Sequence, residues 1–264
     1  MTKRTILISG CSGAGKSFTG DYLEMMCGFH HVDGDTFMIS KEPEHVEWKT
    51  NLIKAFYEYW FDEKSAPREL WEPYYQGVAD LVKKALESNS DVVVSISVYN
   101  REVRDFFRSQ FPHYIFILLN LSEDELVRRH IKRFEAFAES QSKTIEEVYQ
   151  EIYKEPYSMD NYLKQTKRIL KGLQPIAEDE VLSFSIDVSD EMYKTLHDVL
   201  QLPPPQAIIP IEDIAKKNYK RWKNCPLRSY HRAPRKSIYK EVHLPNRCRK
   251  TNPKVGLEPQ TLGF

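Results

Sequence analysis

The apolar positions of this chain change period several times, and each change predicts an element. Residues 5–9 form a short β-branched and aliphatic run that stops at glycines, as a buried parallel strand does where it enters a loop. From Lys16 onward Phe18, Tyr22 and Met25 or Met26 recur at the spacing of one helical face. Residues 30–33 predict a second strand that ends at Gly34-Asp35, and helices are expected over about 44–62 and 71–87. The first of these helices carries Trp48, Phe56, Tyr57, Tyr59, Trp60 and Phe61, an aromatic stripe that predicts core packing. Residues 91–97 and the charge-free run 114–121 read as buried strands, separated by a helix over 101–110.

Ser122 caps the next helix, with Glu125 at the position that completes a capping box, and the helix runs on through Leu126, Arg129 and Arg133. Polar helices to about residue 171, a strand over 181–188 and a helix over 191–200 complete the pattern. Apolar runs alternating with helices predict an α/β fold, a parallel sheet covered on both faces.

Length and charge refine this picture. A chain of 264 residues makes one large domain, or one domain with an extension. Pro203-Pro204-Pro205 cannot continue a helix and marks the expected boundary between a body, 1–202, and a C-terminal extension, 203–264. The net charge of zero conceals a contrast between the two. Residues 1–202 hold 24 Lys and Arg against 34 Asp and Glu, whereas residues 203–264 hold 14 against 4. The basic tail interleaves Lys220-Arg221-Trp222-Lys223 and Arg247-Cys248-Arg249-Lys250 with Tyr219, Tyr230 and Tyr239. Such a mixture suits a nucleic acid, an acidic protein partner, or an arm folding onto the acidic body. The four cysteines lie far apart without a C-x-x-C pair, and no stretch approaches 18 apolar residues. A cytoplasmic protein without a membrane span is expected.

The candidate chemistry starts at Gly10-Cys11-Ser12-Gly13-Ala14-Gly15-Lys16-Ser17, which satisfies G-x-x-x-x-G-K-[ST] between the first strand and the first helix. In such a loop backbone N–H groups converge on phosphate oxygens, Lys16 reaches the β- and γ-phosphates, and Ser17 holds Mg²⁺. The expected nucleotide-binding set is Gly10 to Ser17 with Phe18, and ATP and Mg²⁺ are the expected cofactors. Cys11 faces a helix N-terminus, which lowers a thiol pKa, although a small filler is the plainer account.

Asp33-Gly34-Asp35 closes the second strand, where open α/β sheets bind ligands. Asp33 is assigned to Mg²⁺ or substrate and Asp35 to the acceptor hydroxyl; Asp-Gly is also an ordinary turn signal. Arg129 and Arg133, four apart on one helix, are candidates to stabilise charge on a transferring phosphoryl group, or form a solvated basic face. Lys16, Asp35, Arg129 and Arg133 are thus the expected catalytic residues.

Together these motifs resemble the P-loop small-molecule kinases, most closely gluconokinases with shikimate kinases as relatives. Ser97, Arg101, Arg104 and Asp105 fall where that family carries Cys-Ser-Ala-Leu-Lys and an Arg-rich helix, and Leu126-x-x-Arg129-x-x-x-Arg133 is similar to the start of its mobile lid. Glu178-Asp179-Glu180 before a strand ending Ile186-Asp187-Val188-Ser189 is similar to the closing segment of gluconokinases. The resemblance spans about residues 4–200 and implies a three-layer P-loop kinase fold with a helical lid. It also implies ATP-dependent transfer of the γ-phosphoryl group to a hydroxyl of a small metabolite, a sugar acid or similar. Thr36-Phe37-Met38 after Gly34-Asp35 and Asn100 in place of a lysine depart from gluconokinases, so the acceptor stays open. A nucleoside or nucleotide kinase, and a non-catalytic nucleotide-binding module that uses the basic tail, are the alternatives.

Overall fold

The structure is a computed structural model that describes residues 3–88, 91–111, 113–189, 191–203 and 209–222. Five parallel strands form one sheet: β1 (Arg4–Ser9), β2 (His30–Asp33), β3 (Asp91–Ser95), β4 (Tyr114–Asn120) and β5 (Ser183–Asp187), in the spatial order β2-β3-β1-β4-β5. Helices connect them: α1 (Lys16–Cys27), α2 (Thr36–Ile39), α3 (Pro43–Lys54), α4 (Glu72–Ser88), α5 (Arg101–Gln110), α6 (Glu123–Ser140), α7 (Ile145–Tyr153), α8 (Met159–Lys171), α9 (Met192–Val199) and α10 (Ile211–Trp222). This is the parallel sheet covered on both faces that the alternation of apolar runs predicts.

The period of two along each strand sorts the core into two layers. Leu7, Val92, Val94, Phe116 and Leu118 face a layer with Tyr75, Val78 and Val82 of α4 and Val103 and Phe107 of α5. Ile6, Ile8, Val93, Ile117, Leu119 and Ile186 face the other, with Tyr22 and Leu23 of α1, Leu196 of α9 and Ile214 of α10. All strand C-termini lie at one edge, which therefore gathers the phosphate loop, Asp33-Gly34-Asp35 and the segment after β3.

Three elements differ in extent from the sequence expectation. The aromatic helix over 44–62 is not continuous: α3 ends at Lys54, Ala55–Tyr59 is a π-helix, and Trp60–Asp62 a 3₁₀ turn. Packing explains the break. Trp60 and Phe61 are buried, and their backbone lies against Gly172 so closely that a Cβ there would stand 2.5 Å from the Trp60 carbonyl oxygen. The last strand starts at Ser183 rather than 181, because Leu182 has φ 55° and, with Val181, faces solvent. β3 stops at Ser95, where the Ile96 N–H still reaches Ile8 O but Val98 N–H turns onto the Ser9 hydroxyl.

The capping box expected at Ser122 is only half formed. The Ser122 hydroxyl accepts from Glu125 N–H at 3.3 Å, but the Glu125 carboxylate pairs with Arg128 and Arg129 instead of returning to the cap. A complete box forms at Thr144 and Glu147 of α7.

Sequence reasoning placed no helix after the proline run. Yet α10 lies on α1, with Ile214 and Ala215 in its core layer, Asn218 Nδ2 donating to Asp21 Oδ2 at 3.1 Å, and Lys217 bound to Glu24. The signal was present as Ile211, Ile214, Ala215 and Asn218, one helical face inside a basic stretch. Of the basic clusters expected to meet a partner, residues 223–264 lie outside the described residues. Among the described residues no helix is long and apolar enough to cross a membrane.

A buried ion pair ties the closing segment to the sheet. Arg104 donates to both oxygens of Glu180 at 2.7 Å, and both side chains are nearly inaccessible. Burial raises the Glu180 carboxyl, but hydrogen bonds from Arg104 and the Ala177 N–H outweigh it and hold the group below the ordinary glutamate range. A folded pKa below the unfolded one contributes stability above the unfolded value, about 4.3, that is lost as pH falls through the folded value. The thermal midpoint of Glu180→Gln, followed by circular dichroism from about pH 7 to about pH 3, is expected to fall less steeply in acid than that of the wild type.

Candidate active site at the strand C-termini

β1 runs straight into the phosphate loop, and the loop into α1. Gly10, Gly13 and Gly15 take φ of 149°, 95° and 91°. Gly15 needs its glycine, since it is the left-handed residue that turns the chain into α1, and a side chain there would be strained. α1 begins without a side-chain cap and without an acid in its first turn, so its N-terminus is suited to an external anion. Lys16 is 7% exposed, its Nζ 3.0 Å from the Cys11 carbonyl oxygen, and Ser17 follows at the helix start. Phe18 is buried in the apolar layer that also holds Cys11 and Ala14 of the loop.

The loop carbonyls are held from outside. Arg129 Nη1 donates to Gly13 O at 2.9 Å, and His130 Nε2 lies 2.8 Å from Ser12 O, so this nitrogen carries the proton. Arg129 is itself fixed by Glu125 at 2.6 Å. The Gly13 and Ser12 carbonyls are thus turned toward α6, while the Ala14 N–H closes within the loop onto Cys11 O at 3.2 Å. Arg129 thus meets the loop backbone, while Arg133 lies one turn further along α6 with a side chain outside the described residues.

Asp33 and Asp35 stand on the other side of β3. In register, Asp33 pairs with Ser95 and Ser95 with Ile8, so Asp33 lies two strand spacings, about 10 Å, from the end of β1. Asp33 is buried and accepts from Asp35 N–H at 3.1 Å, while Asp35 starts α2 and is half-buried. Gly34 is not the left-handed glycine of a turn. A Cβ there would stand 2.7 Å from Ile96, so close approach to the segment after β3 selects glycine.

Tyr74 OH donates to Gly34 O at 2.9 Å and Tyr75 OH to Ser97 O at 2.7 Å. Burial pushes the Tyr75 phenol well above its ordinary pKa, and the charge of Asp35 pushes it further. Behind the site His31 bridges Asp21 (3.0 Å) and Ser95 (2.9 Å), fixing β2 against α1. Asp21, Glu24 and His31 bring ligand-type atoms within 4.8 Å, but the ammonium of Lys217 bridges the two carboxylates there.

The AAA domain family model matches residues 6–154, more than half of the chain. The chain belongs to the AAA domain family. No curated protein matches it in sequence. Among solved structures it is similar to a gluconokinase from Sinorhizobium meliloti 1021, at 19% identity over 83% of this chain and 97% of that one, with a TM-score of 0.42. It is also similar to a sugar kinase from Janibacter sp. HTCC2649 (15% identity, 85% and 97% covered, TM-score 0.41) and to shikimate kinase from Bacteroides thetaiotaomicron (15%, 75% and 99%, 0.34).

The part of this AAA-family chain that matches runs from β1 to the end of α7. It includes the phosphate loop, Asp33-Gly34-Asp35, Arg129 and His130, and ends before α8, β5 and α10. Sequence reasoning missed His130. His130 had no periodicity or motif to mark it, and only the folded contact with Ser12 assigns it a task. Arg129→Ala is expected to remove a buried charge-assisted bond to Gly13 and to cost about 1–3 kcal/mol of folding stability in urea titration. His130→Ala is expected to do the same through Ser12, and both to weaken nucleotide binding in calorimetric titration.

Proposed function

We propose that this chain is an ATP-dependent phosphotransferase that moves the γ-phosphoryl group to a hydroxyl of a small metabolite. One observation carries the reading: a complete phosphate loop with a buried lysine faces, across a single strand, a paired-carboxylate segment at the same edge of the sheet. A module that only binds nucleotide has no need of the second feature.

The residues present fit nucleotide and metal. The uncapped start of α1, the left-handed glycines and Lys16 form a cradle for the β- and γ-phosphates, and the Ser17 hydroxyl with the Asp33 carboxylate is a hard oxygen donor set suited to Mg²⁺. Bound magnesium nucleotide supplies the phosphoryl group and neutralises charge on it.

Asp35 orients the acceptor and takes its hydroxyl proton as the acceptor oxygen bonds to the γ-phosphorus. The bond from that phosphorus to the β–γ bridging oxygen breaks, and ADP keeps the electron pair. Lys16 offsets the charge on the phosphoryl oxygens. Arg129 keeps the loop amides directed at the phosphates through Gly13, and Arg133 follows it on the lid to meet the charge that spreads in the transition state.

Lys16→Ala is expected to lose both nucleotide binding and turnover. Asp35→Ala is expected to bind nucleotide as the wild type does while acceptor-dependent ADP release falls by about 10²–10⁴. Calorimetry with magnesium nucleotide and a coupled ADP assay separate the two; normal turnover by Asp35→Ala would show that another group orients the acceptor.

A further inference from the structure

The segment that carries Asp33 and Asp35 is held from behind by a line of buried hydrogen bonds that begins on α10. Asn218 Nδ2 donates to Asp21 Oδ2 at 3.1 Å, Asp21 Oδ1 lies 3.0 Å from His31 Nδ1, and His31 Nε2 lies 2.9 Å from Ser95 Oγ. The Ser95 carbonyl then accepts the Gly34 N–H at 2.9 Å, between the two carboxylates. Asn218, Asp21, His31 and Ser95 are all buried. The chemistry of the groups fixes the direction of each bond. A carboxylate only accepts, so Asp21 takes hydrogens from Asn218 and from His31 Nδ1, which in the neutral imidazole leaves Nε2 to accept from the Ser95 hydroxyl.

Two features mark this line as built into the fold. Gly20 lies in the interior of α1, a place that disfavours glycine, and a Cβ there would stand 2.2 Å from His31 Nε2. The helix thus lacks a side chain at the one spot where the imidazole enters. The strand register supplies the second feature. His31 pairs with Val93 and Asp33 with Ser95, and Val93 belongs to the layer under α1, so by the period of two all four side chains point toward that helix. Ser95 therefore stands beside Asp33 while its hydroxyl is held by His31.

In a buried network the loss of one donor leaves a costly unmet acceptor, and the neighbours rearrange to relieve it. Asn218 is the outermost member. It comes from beyond residue 154, where the family match ends, and the adjacent Lys217, bound to Glu24, fixes the same turn of α10 on α1. We propose that Asn218 is a positioning residue for phosphoryl transfer: through Asp21, His31 and Ser95 it sets the place of Gly34, and with it the aim of Asp33 and Asp35. The catalytic part of this proposal rests on the phosphotransferase reading above. The phosphate loop is held by Lys16, Arg129 and His130, so nucleotide binding is expected to be spared when the line is cut.

The full chain would be compared with Asn218→Leu, Ser95→Ala, the two combined, and Ile214→Ala, which loosens the packing of the same helix without touching the line. Hydrogen exchange of the Gly34 amide, read by ¹H–¹⁵N NMR, reports the coupling. Calorimetry with magnesium ATP reports the nucleotide site, and ADP release with gluconate, shikimate, glucose and adenosine reports transfer. Asn218→Leu is expected to speed Gly34 exchange about tenfold and to lower kcat with the best of these acceptors about tenfold, with the Kd of magnesium ATP within about twofold of the wild type. Ile214→Ala is expected to lower the thermal midpoint while Gly34 exchange and kcat stay as they are. The double variant is expected to lose no more than Ser95→Ala alone, since either change cuts the same line. Asn218→Ala, whose smaller side chain admits a water to Asp21, is expected to give the same changes to a lesser degree, and it decides the matter if Asn218→Leu does not fold.

Unchanged Gly34 exchange in the Asn218 variants, additive losses in the double variant, or losses in Ile214→Ala that match those of Asn218→Leu would overturn this inference and leave the phosphotransferase reading standing. If none of the four acceptors yields a phosphorylated product, that reading loses its support, and Gly34 exchange alone decides whether α10 is coupled to the carboxylate segment.

Discussion

A loop that binds phosphate through its peptide N–H groups has to dispose of its carbonyls, and this molecule does so with three cationic or imidazole side chains. Lys16 takes Cys11 O, His130 takes Ser12 O, and Arg129 takes Gly13 O. Consecutive carbonyls are thereby drawn to protein donors, and Cys11 O accepts from the Ala14 N–H as well. Two of the three donors come from α6, 116 and 118 positions further along the chain. α6 is thus part of the loop's conformation, and Glu125 at its start matters because it fixes Arg129 in place.

The same logic of fixed partners runs through the opposite half of the site. Gly34 is pinned between Ser95 O, which accepts its N–H, and Tyr74 OH, which donates to its carbonyl, while Ile96 excludes any side chain at that position. Asp33 and Asp35 are positioned by a segment that cannot move far. The buried polar groups His31, Asp21 and Ser95 anchor β2 from behind, so the carboxylate pair and the phosphate loop share α1 as a common support.

Much of this was legible in the sequence, for identifiable reasons. The strands β1 and β4 are continuous apolar runs bounded by loop residues, and the phosphate loop is a motif whose spacing is fixed by backbone geometry rather than by tertiary context. The place of Asp33 and Asp35 after the second strand was legible because Asp-Gly punctuates the end of an apolar run. The π-helix at 55–59 was not, because tertiary packing of Trp60 and Phe61 overrides a helical aromatic stripe that looks regular in one dimension. Glu125 illustrates the same limit: its spacing from Ser122 matches a capping box, but two nearby guanidiniums outcompete a backbone N–H for it. The helix α10 was hidden by charge, since a basic stretch after three prolines draws attention to its lysines rather than to the isoleucines between them.

The docking of α10 bears on how α1 is held. Asp21 lies in the nucleotide helix, wholly buried, and one of its partners, Asn218, is 197 positions downstream. Without α10 the layer over α1 would lack Ile214 and Ala215, and Asp21 would lose the amide of Asn218. The packing of the first helix therefore depends on the last described one, at the other end of the described chain.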